Sequence, residues 1–291
     1  MISIFRYPGG KSKKSIREKI LRFKPDNFKT YIEPFVGGGG IFFGLQKEEC
    51  DLKWINDIDE NLIEVYLSLR DRPKEFIELC RSIEPIRKGE EKTSAKGGKL
   101  LYNTRLKKEF DRLLADDDCN KALKYYFINR TVWGGRVNYN QPSRLYFSND
   151  GGWNIVKKNS LELAAELLSG TKVTSVDFSE IFKDESIEDA WIYCDPPYYL
   201  NTLLSDKSKL YLRNFSEKDH IRLRGCVRDT KHKVCISYDD DDFIRYLYSD
   251  PSFYIYEDEW IYCGTSSAQN QSKIKKVGKE IIITNYKMEI V

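Results

Sequence analysis

An open α/β sheet interrupted by a mostly helical insertion is the fold class this sequence predicts. Three observations carry that reading. Short apolar runs end repeatedly in acidic or glycine-rich turns: Thr30 to Ile32 ahead of four glycines, Lys53 to Asn56 ahead of Asp57, and Ala190 to Cys194 ahead of Asp195. Helical patterns separate those runs, as strand–helix–strand units require. From about residue 72 to 170 helical stretches and polar loops take over, and the alternation then resumes.

At the N-terminus, Phe5-Arg6-Tyr7-Pro8-Gly9-Gly10-Lys11 makes a turn ahead of a basic helix from Lys13 to Phe23. Its spacing is not that of a phosphate-cradling G-x-x-x-x-G-K-[ST] loop, so an ATPase is not read. Glu33-Pro34-Phe35-Val36 then leads into Gly37 to Gly40 and an apolar helix start at Ile41. Glycines permit a tight turn and let a ligand approach the backbone. The spacing is not G-x-G-x-x-G, which disfavours a dinucleotide. Asp57 follows the second strand at an offset from Gly37 where an acid commonly bonds ribose hydroxyls. Asp59 or Glu60 can serve instead, or one of them caps the next helix, Glu60 to Arg70.

A helix over 73–83 opens the insertion. Residues 84–99 read as a polar, glycine-containing loop, and two helices follow at about 100–115 and 119–129. The stretch from Asn129 to Arg144 interleaves arginines, asparagines and aromatics with glycines. Such a loop can bond phosphates, read base edges and wedge into a base stack.

A helix near 158–169 ends at Gly170, and Lys172 to Val176 is a strand before Asp177-Phe178. The strand Ala190 to Cys194 stops at Asp195-Pro196-Pro197-Tyr198. Prolines cannot continue a central ladder, so the carboxylate and the ring are held at the mouth of the sheet, where ligands sit in this architecture. A carboxylate, a proline carbonyl and an aromatic face suit the gripping of a flat heteroaromatic amine. Residues 200–214 form a polar loop. Ser216 with Asp219 resembles a capping box opening a helix to about 229. Lys233 to Ser237, Ser252 to Tyr262 and Lys279 to Tyr286 complete the strands, with a long polar link from Cys263 to Gly278.

Bulk properties exclude several classes. The 291 residues are 41% hydrophobic and 32% charged, with a net charge of +3, too mild to argue for a polyanion partner by itself. The seven cysteines form no C-x-x-C pair, so neither a zinc site nor a disulfide framework is read, and a reducing cytoplasm fits. No signal peptide and no apolar run near eighteen residues is seen, so no membrane role is expected. His220 and His232 lie in polar sequence and read as surface residues, which argues against histidine or metal chemistry.

In combination and in order, these motifs resemble the Dam-type DNA N6-adenine methyltransferase family. Arg6-Tyr7-Pro8-Gly9-Gly10-Lys11 is similar to its N-terminal motif, and Glu33 through Phe43 to its cofactor motif. Asn56-Asp57-Ile58-Asp59 resembles the acidic motif. Phe127-Ile128-Asn129-Arg130 and Asn138-Tyr139-Asn140 resemble the start of the target-recognition segment. Asp195-Pro196-Pro197-Tyr198 is similar to the catalytic motif, and Ile236 to Asp239 and Glu280 to Tyr286 to later strands. Cofactor motif, recognition segment, then catalytic motif is the order of the family's α group.

The resemblance implies a Rossmann-like S-adenosylmethionine-dependent methyltransferase sheet with an inserted, mostly helical target-recognition domain. Its sheet domain would be built from 1–71 and 171–291, and the insertion from 72–170. Tyr7, Lys11, Glu33, Pro34, Phe35, Gly37, Gly38, Gly39, Asp57, Phe178 and Asp195 would line the cofactor pocket. Tyr7 stands where the Dam enzyme has a tryptophan. Asp195, Pro196, Pro197 and Tyr198 would be catalytic. Double-stranded DNA would be met by Arg105, Asn129, Arg130, Trp133, Arg136, Asn138 and Asn140. An arginine expected to read guanine is replaced by Asn138, and Arg136 is new, so the GATC target is not carried over. A cognate restriction endonuclease is the further partner implied. No metal is.

The implied reaction is methyl transfer to the N6 amine of a flipped adenine, with Asp195 and the Pro196 carbonyl accepting the amine hydrogens and Tyr198 stacking on the base. Cys194 reads as a packed core residue rather than a nucleophile. Methylation of the cytosine N4 amine uses the same geometry, although such enzymes more often carry Ser before Pro-Pro. A silent DNA-binding module of the same fold is the reading from another class, and the intact Asp195 and glycine loop argue against it.

Overall fold

A computed structural model describes residues 3–7, 11–45, 50–87, 92–94, 101–116, 118–132, 135, 137, 152–154, 159–199, 215–261 and 277–288. The chain divides into two compact units. The first is built from Gly9–Ile58 and Thr174–Val291, the second from Ser3–Pro8 and Asp59–Val173.

The first unit carries β1 (Thr30–Glu33), β2 (Leu52–Asn56), β6 (Ala190–Cys194), β7 (Lys233–Asp239), β8 (Tyr254–Ile261) and β9 (Val277–Thr284). With β5 (Lys172–Thr174), which straddles the second boundary, they form a seven-stranded sheet ordered β5-β2-β1-β6-β7-β9-β8. β1 pairs in parallel with β2 and β6, and β6 with β7. β9 runs antiparallel to β7 and β8. The sheet is therefore mixed, mostly parallel and Rossmann-like. Its central strands are buried on both faces, which is why Tyr31-Ile32 and Ala190 to Cys194 are unbroken apolar runs.

Alternation along the strands sorts the side chains. Ile32, Ala190, Ile192, Cys194, Val234, Ile236, Tyr238, Ile281 and Ile283 share one buried cluster with three helices. These are α7 (Phe178–Phe182), α8 (Glu217–Asp229) and α9 (Asp242–Leu247). The interleaved residues Tyr31, Glu33, Trp191, Tyr193, Cys235, Ser237, Glu280 and Ile282 belong to the opposite face by the same period. There Trp191 packs its ring against Tyr31 and Phe28, with centroids 5.2 and 5.7 Å apart.

The second unit contains α2 (Glu60–Asp71), α3 (Pro73–Ser82), β3 (Lys92–Ser94), β4 (Leu101–Asn103), α4 (Thr104–Ala115), α5 (Lys121–Thr131) and α6 (Ser160–Leu168). α5 buries Ala122, Leu123, Tyr125 to Asn129 and Thr131, so it is central rather than amphipathic. Around it pack Phe5, Phe76 and Trp153, whose indole donates to the Cys80 carbonyl.

Several expectations are adjusted. The first boundary falls before α2, because Asp59 accepts from the Tyr125 hydroxyl at 2.9 Å and Arg70 donates to the Thr171 carbonyl, tying both ends of α2 into the second unit. The glycine run leads only to a 3₁₀ turn, Phe42–Gly44. Inside the expected 84–99 loop, β3 pairs with β4. α7 and α9 were not anticipated. The capping box at Ser216 and Asp219 is present. His220 and His232 are not surface residues: both are buried. His220 lies on the core side of α8, where its Nδ1 meets the Tyr238 hydroxyl at 2.9 Å, and burial pushes its pKa down to about 4. Cys194 is fully buried in the core, as expected.

Candidate active site

β1 has β2 on one side and β6 on the other, so the connections out of the sheet diverge at this point and open a crevice beyond the strand ends. The register sets Tyr31 beside Trp191 and Ile32 beside Ile192. The glycine loop after β1 and the Asp-Pro-Pro-Tyr turn after β6 therefore leave the same edge.

The loop after Glu33 is pinned on its β2 side. Val36 N–H donates to the Asn56 carbonyl at 2.8 Å, and Gly37 N–H to Asp57 Oδ2 at 2.9 Å. Gly37 and Gly39 have φ of 45° and 65°, values that disfavour other residues. Gly40 meets another constraint: a Cβ there would lie 2.9 Å from backbone atoms of Lys11 and Ser12. Asn56 ties three segments together, donating to the Pro34 and Val176 carbonyls and accepting from Thr174 Oγ1 and Val176 N–H. Asp59 is engaged as the N-cap of α2, bonding the N–H groups of Asn61 and Leu62, and Glu60 is exposed. Of the three acids considered, Asp57 is the one bonded to the glycine loop.

On the β6 side, Asp195 Oδ1 accepts from Ser237 Oγ at 2.9 Å and pairs with Lys11 Nζ at 3.1 Å. The Ser237 hydroxyl also lies 2.9 Å from that of Tyr193. Lys11, nearly buried, donates to the Tyr198 hydroxyl and lies 3.5 Å from Glu280 Oε2. Tyr198 in turn donates to Glu280 Oε1 at 3.0 Å. The antiparallel direction of β9 brings Glu280 to this edge opposite Asp239 of β7. Pro196 is buried, while Pro197 and Tyr198 are partly exposed.

Glu33 sits on the same sheet face and accepts from the Tyr31 hydroxyl. Burial raises its pKa to about 8 against the hydrogen bonds from Tyr31 and the Phe42 N–H, with Asp195 adding repulsion. Burial likewise holds Tyr193 well above the usual phenol range, and Asp195 adds to it. Phe35 and Phe178 pack together at 5.4 Å, both against Phe215.

The structure thus brings Lys11, Asp195 and Tyr198 into one cluster, and the Gly37 turn and Asp57 into another at the same edge. Ser237 and Glu280 complete the first cluster and were not singled out by motif. In the second unit, Tyr7 is half-buried. Asn129 is fully buried: it accepts from the Arg6 N–H and donates to the carbonyls of Arg6 and Gly135, so no N–H is left for a base edge. Arg130 donates to the Ile4 carbonyl, and Arg105 pairs with Glu84 at 3.2 Å. Trp133, Arg136, Asn138 and Asn140 lie outside the described residues. Among the described residues no group of acids, histidines and cysteines could hold a metal ion, and no helix is long and apolar enough to cross a membrane.

Comparison with known proteins finds relatives that match along most of the chain. The Type II methyltransferase M1.LlaDCHI of Lactococcus lactis subsp. cremoris is 27% identical, over 97% of this chain and 94% of its own length. M.MjaIII of Methanocaldococcus jannaschii, also a Type II methyltransferase, is 29% identical over 77% of this chain and 78% of its own. A DNA adenine methylase of Vibrio cholerae serotype O1 is 26% identical, covering 84% of each. The model of the D12 class N6 adenine-specific DNA methyltransferases matches residues 7–263, and it is to that family of enzymes that this chain belongs.

Proposed function

We propose that this protein transfers a methyl group from S-adenosylmethionine to the N6 amine of an adenine flipped out of double-stranded DNA. The observation that carries the reading is the Asp195 carboxylate, fixed at the sheet edge by Ser237 and Lys11 immediately before Pro196. The donor chemistry of that edge fits the cofactor. Asp57 offers an acid suited to ribose hydroxyls beside a loop stripped of side chains, and the carboxylates of Asp195 and Glu280 outnumber the Lys11 ammonium, which suits a sulfonium. Tyr7, Glu33, Pro34, Phe35, Gly38, Gly39 and Phe178 complete the proposed lining.

When bound, S-adenosylmethionine supplies an activated methyl. The amine it meets is a poor nucleophile, its lone pair being delocalised into the ring. Asp195 and the Pro196 carbonyl accept the amine hydrogens and favour a pyramidal nitrogen. Preplaced acceptors of this kind contribute about 3 kcal/mol when charge develops next to them. The prolines stiffen the turn, so little reorganisation is needed. Extruding the base costs about a few kcal/mol, offset by stacking on Tyr198. On the DNA side, Arg105 and Arg130 are proposed as phosphate contacts and Trp133, Arg136, Asn138 and Asn140 as the recognition loop. The Type II names of two relatives support pairing with a restriction endonuclease, and a cytoplasmic site of action is proposed with it.

The test is digestion of treated DNA to nucleosides and mass analysis. N6-methyl-2′-deoxyadenosine is expected, and Asp195→Ala should lower its formation about a thousandfold while DNA is still bound. Turnover within several-fold of the original would overturn the reading, and N4-methyl-2′-deoxycytidine would replace it with the cytosine alternative.

A further inference from the structure

Two carboxylates share one buried ammonium at the end of β6. Lys11 is 3% exposed, 3.1 Å from Asp195 and 3.5 Å from Glu280, and Glu280 is 1% exposed. Charges in so buried a place are costly unless paired and hydrogen-bonded. Glu280 also accepts a hydrogen bond from the Tyr198 hydroxyl. It reaches the cluster from β9, a strand remote in sequence from the catalytic turn and running opposite to it.

We propose that Glu280 is a positioning residue for methyl transfer, drawing the Lys11 ammonium and the Tyr198 hydroxyl to itself so that Asp195 keeps its accepting power for the target amine. The inference rests on the reading of Asp195 given above. Without the Glu280 charge, the Lys11 ammonium would draw closer to Asp195. An undivided ion pair in a poorly solvated pocket stabilises the carboxylate and makes it a weaker acceptor. Anchoring the phenol by its hydroxyl also fixes the ring that the base would stack on. The other groups facing Asp195 do not take this part. Ser237 donates to its Oδ1 and Tyr193 meets Ser237, both as uncharged hydroxyls, Tyr238 is bonded to His220, and Glu33, raised to about 8, is mostly uncharged at neutral pH.

Glu280→Gln keeps an acceptor for Tyr198 and removes the charge. In protein labelled with ¹⁵N at lysine Nζ, and with neither DNA nor cofactor, the Lys11 ammonium resonance should shift relative to the original chain. In turnover, kcat should fall about tenfold with the DNA KM within about threefold, since an acceptor rather than a binding contact is weakened. Glu280→Asp, which keeps the charge, should restore most of the lost kcat. In a Lys11→Met background the same change should cost nothing further, because Glu280 acts through Lys11. An unshifted Lys11 resonance, or a full loss persisting in the Lys11→Met background, would overturn the proposal. Should Glu280→Gln fail to fold, Glu280→Asp carries the test: kcat should stay within about threefold of the original chain, and a tenfold loss overturns the proposal. Original protein that forms no N6-methyl-2′-deoxyadenosine would instead sink the proposed function, whatever the lysine resonance shows.

Discussion

The two faces of the sheet are built from the same strands and are equally dry, yet they hold different things. Under α7, α8 and α9 the cluster is built of apolar and aromatic side chains, with the His220–Tyr238 pair set into it. On the other face, the residues one step along each strand are Glu33, Tyr193, Ser237 and Glu280, with Lys11 and Asp195 at the edge. Period-two alternation lets one strand serve stability on one side and chemistry on the other. A substitution should therefore report which face it belongs to by what it damages.

The sharpest break between the faces is Ile236→Ala. It removes a fully buried side chain from the helix-covered face and should cost about 2–5 kcal/mol in denaturant unfolding. The kcat of the molecules still folded should barely change. A large fall in kcat at unaltered stability would mean the faces are not separable. Next in size is Glu33→Gln, followed by thermal unfolding of cofactor-free protein against pH. Because burial raises the Glu33 pKa from 4.5 to about 8, the folded state holds a proton that the unfolded state has lost between those values. Its contribution is intact below about pH 4.5 and declines as pH rises through 8. Glu33→Gln should flatten that decline, and parallel curves would remove Glu33 as its source. His220 on the opposite face predicts the reverse slope, its contribution lost as pH falls from 6.5 toward 4.

Asp57→Asn should come third. It keeps an oxygen for the Gly37 N–H but loses the charge, and calorimetry should show S-adenosylmethionine binding weakened by about tenfold, the worth of roughly one charge-assisted hydrogen bond. Unchanged affinity would detach Asp57 from the cofactor. The smallest effect belongs to Arg105→Ala, in the second unit. Its ion pair with Glu84 is solvent-exposed, so stability should change by less than about 0.5 kcal/mol. If the guanidinium meets a phosphate in the complex, the slope of log K against log salt should drop by about one for every sequence alike.

The sheet was legible because buried parallel strands write continuous apolar runs, and Ala190 to Cys194 or Lys233 to Ser237 admit few other readings. α7 and α9, of five and six residues, are too short to show a helical period. Polar neighbours in α8 hid the burial of His220, since a helix can turn a single polar residue inward if a partner such as Tyr238 waits there. In the site, Asp195, Tyr198, the glycine turn and Asp57 were read from motifs contiguous in sequence. Glu280 and Ser237 were not, because each meets its partner only through strand pairing: 82 positions separate Glu280 from Tyr198. Lys11 and Asp195 were both placed with the cofactor, but their ion pair, across 184 positions, could not be read from either motif.

Gly40 governs how near the backbone of Lys11 and Ser12 can pass. With a methyl group there, the peptide linking Lys11 to Ser12 would have to retreat, and the ammonium it carries would move relative to its two acids. The smallest side chain is thus a spacer of zero thickness, and the placing of a charge at the sheet edge depends on an atom the chain leaves out.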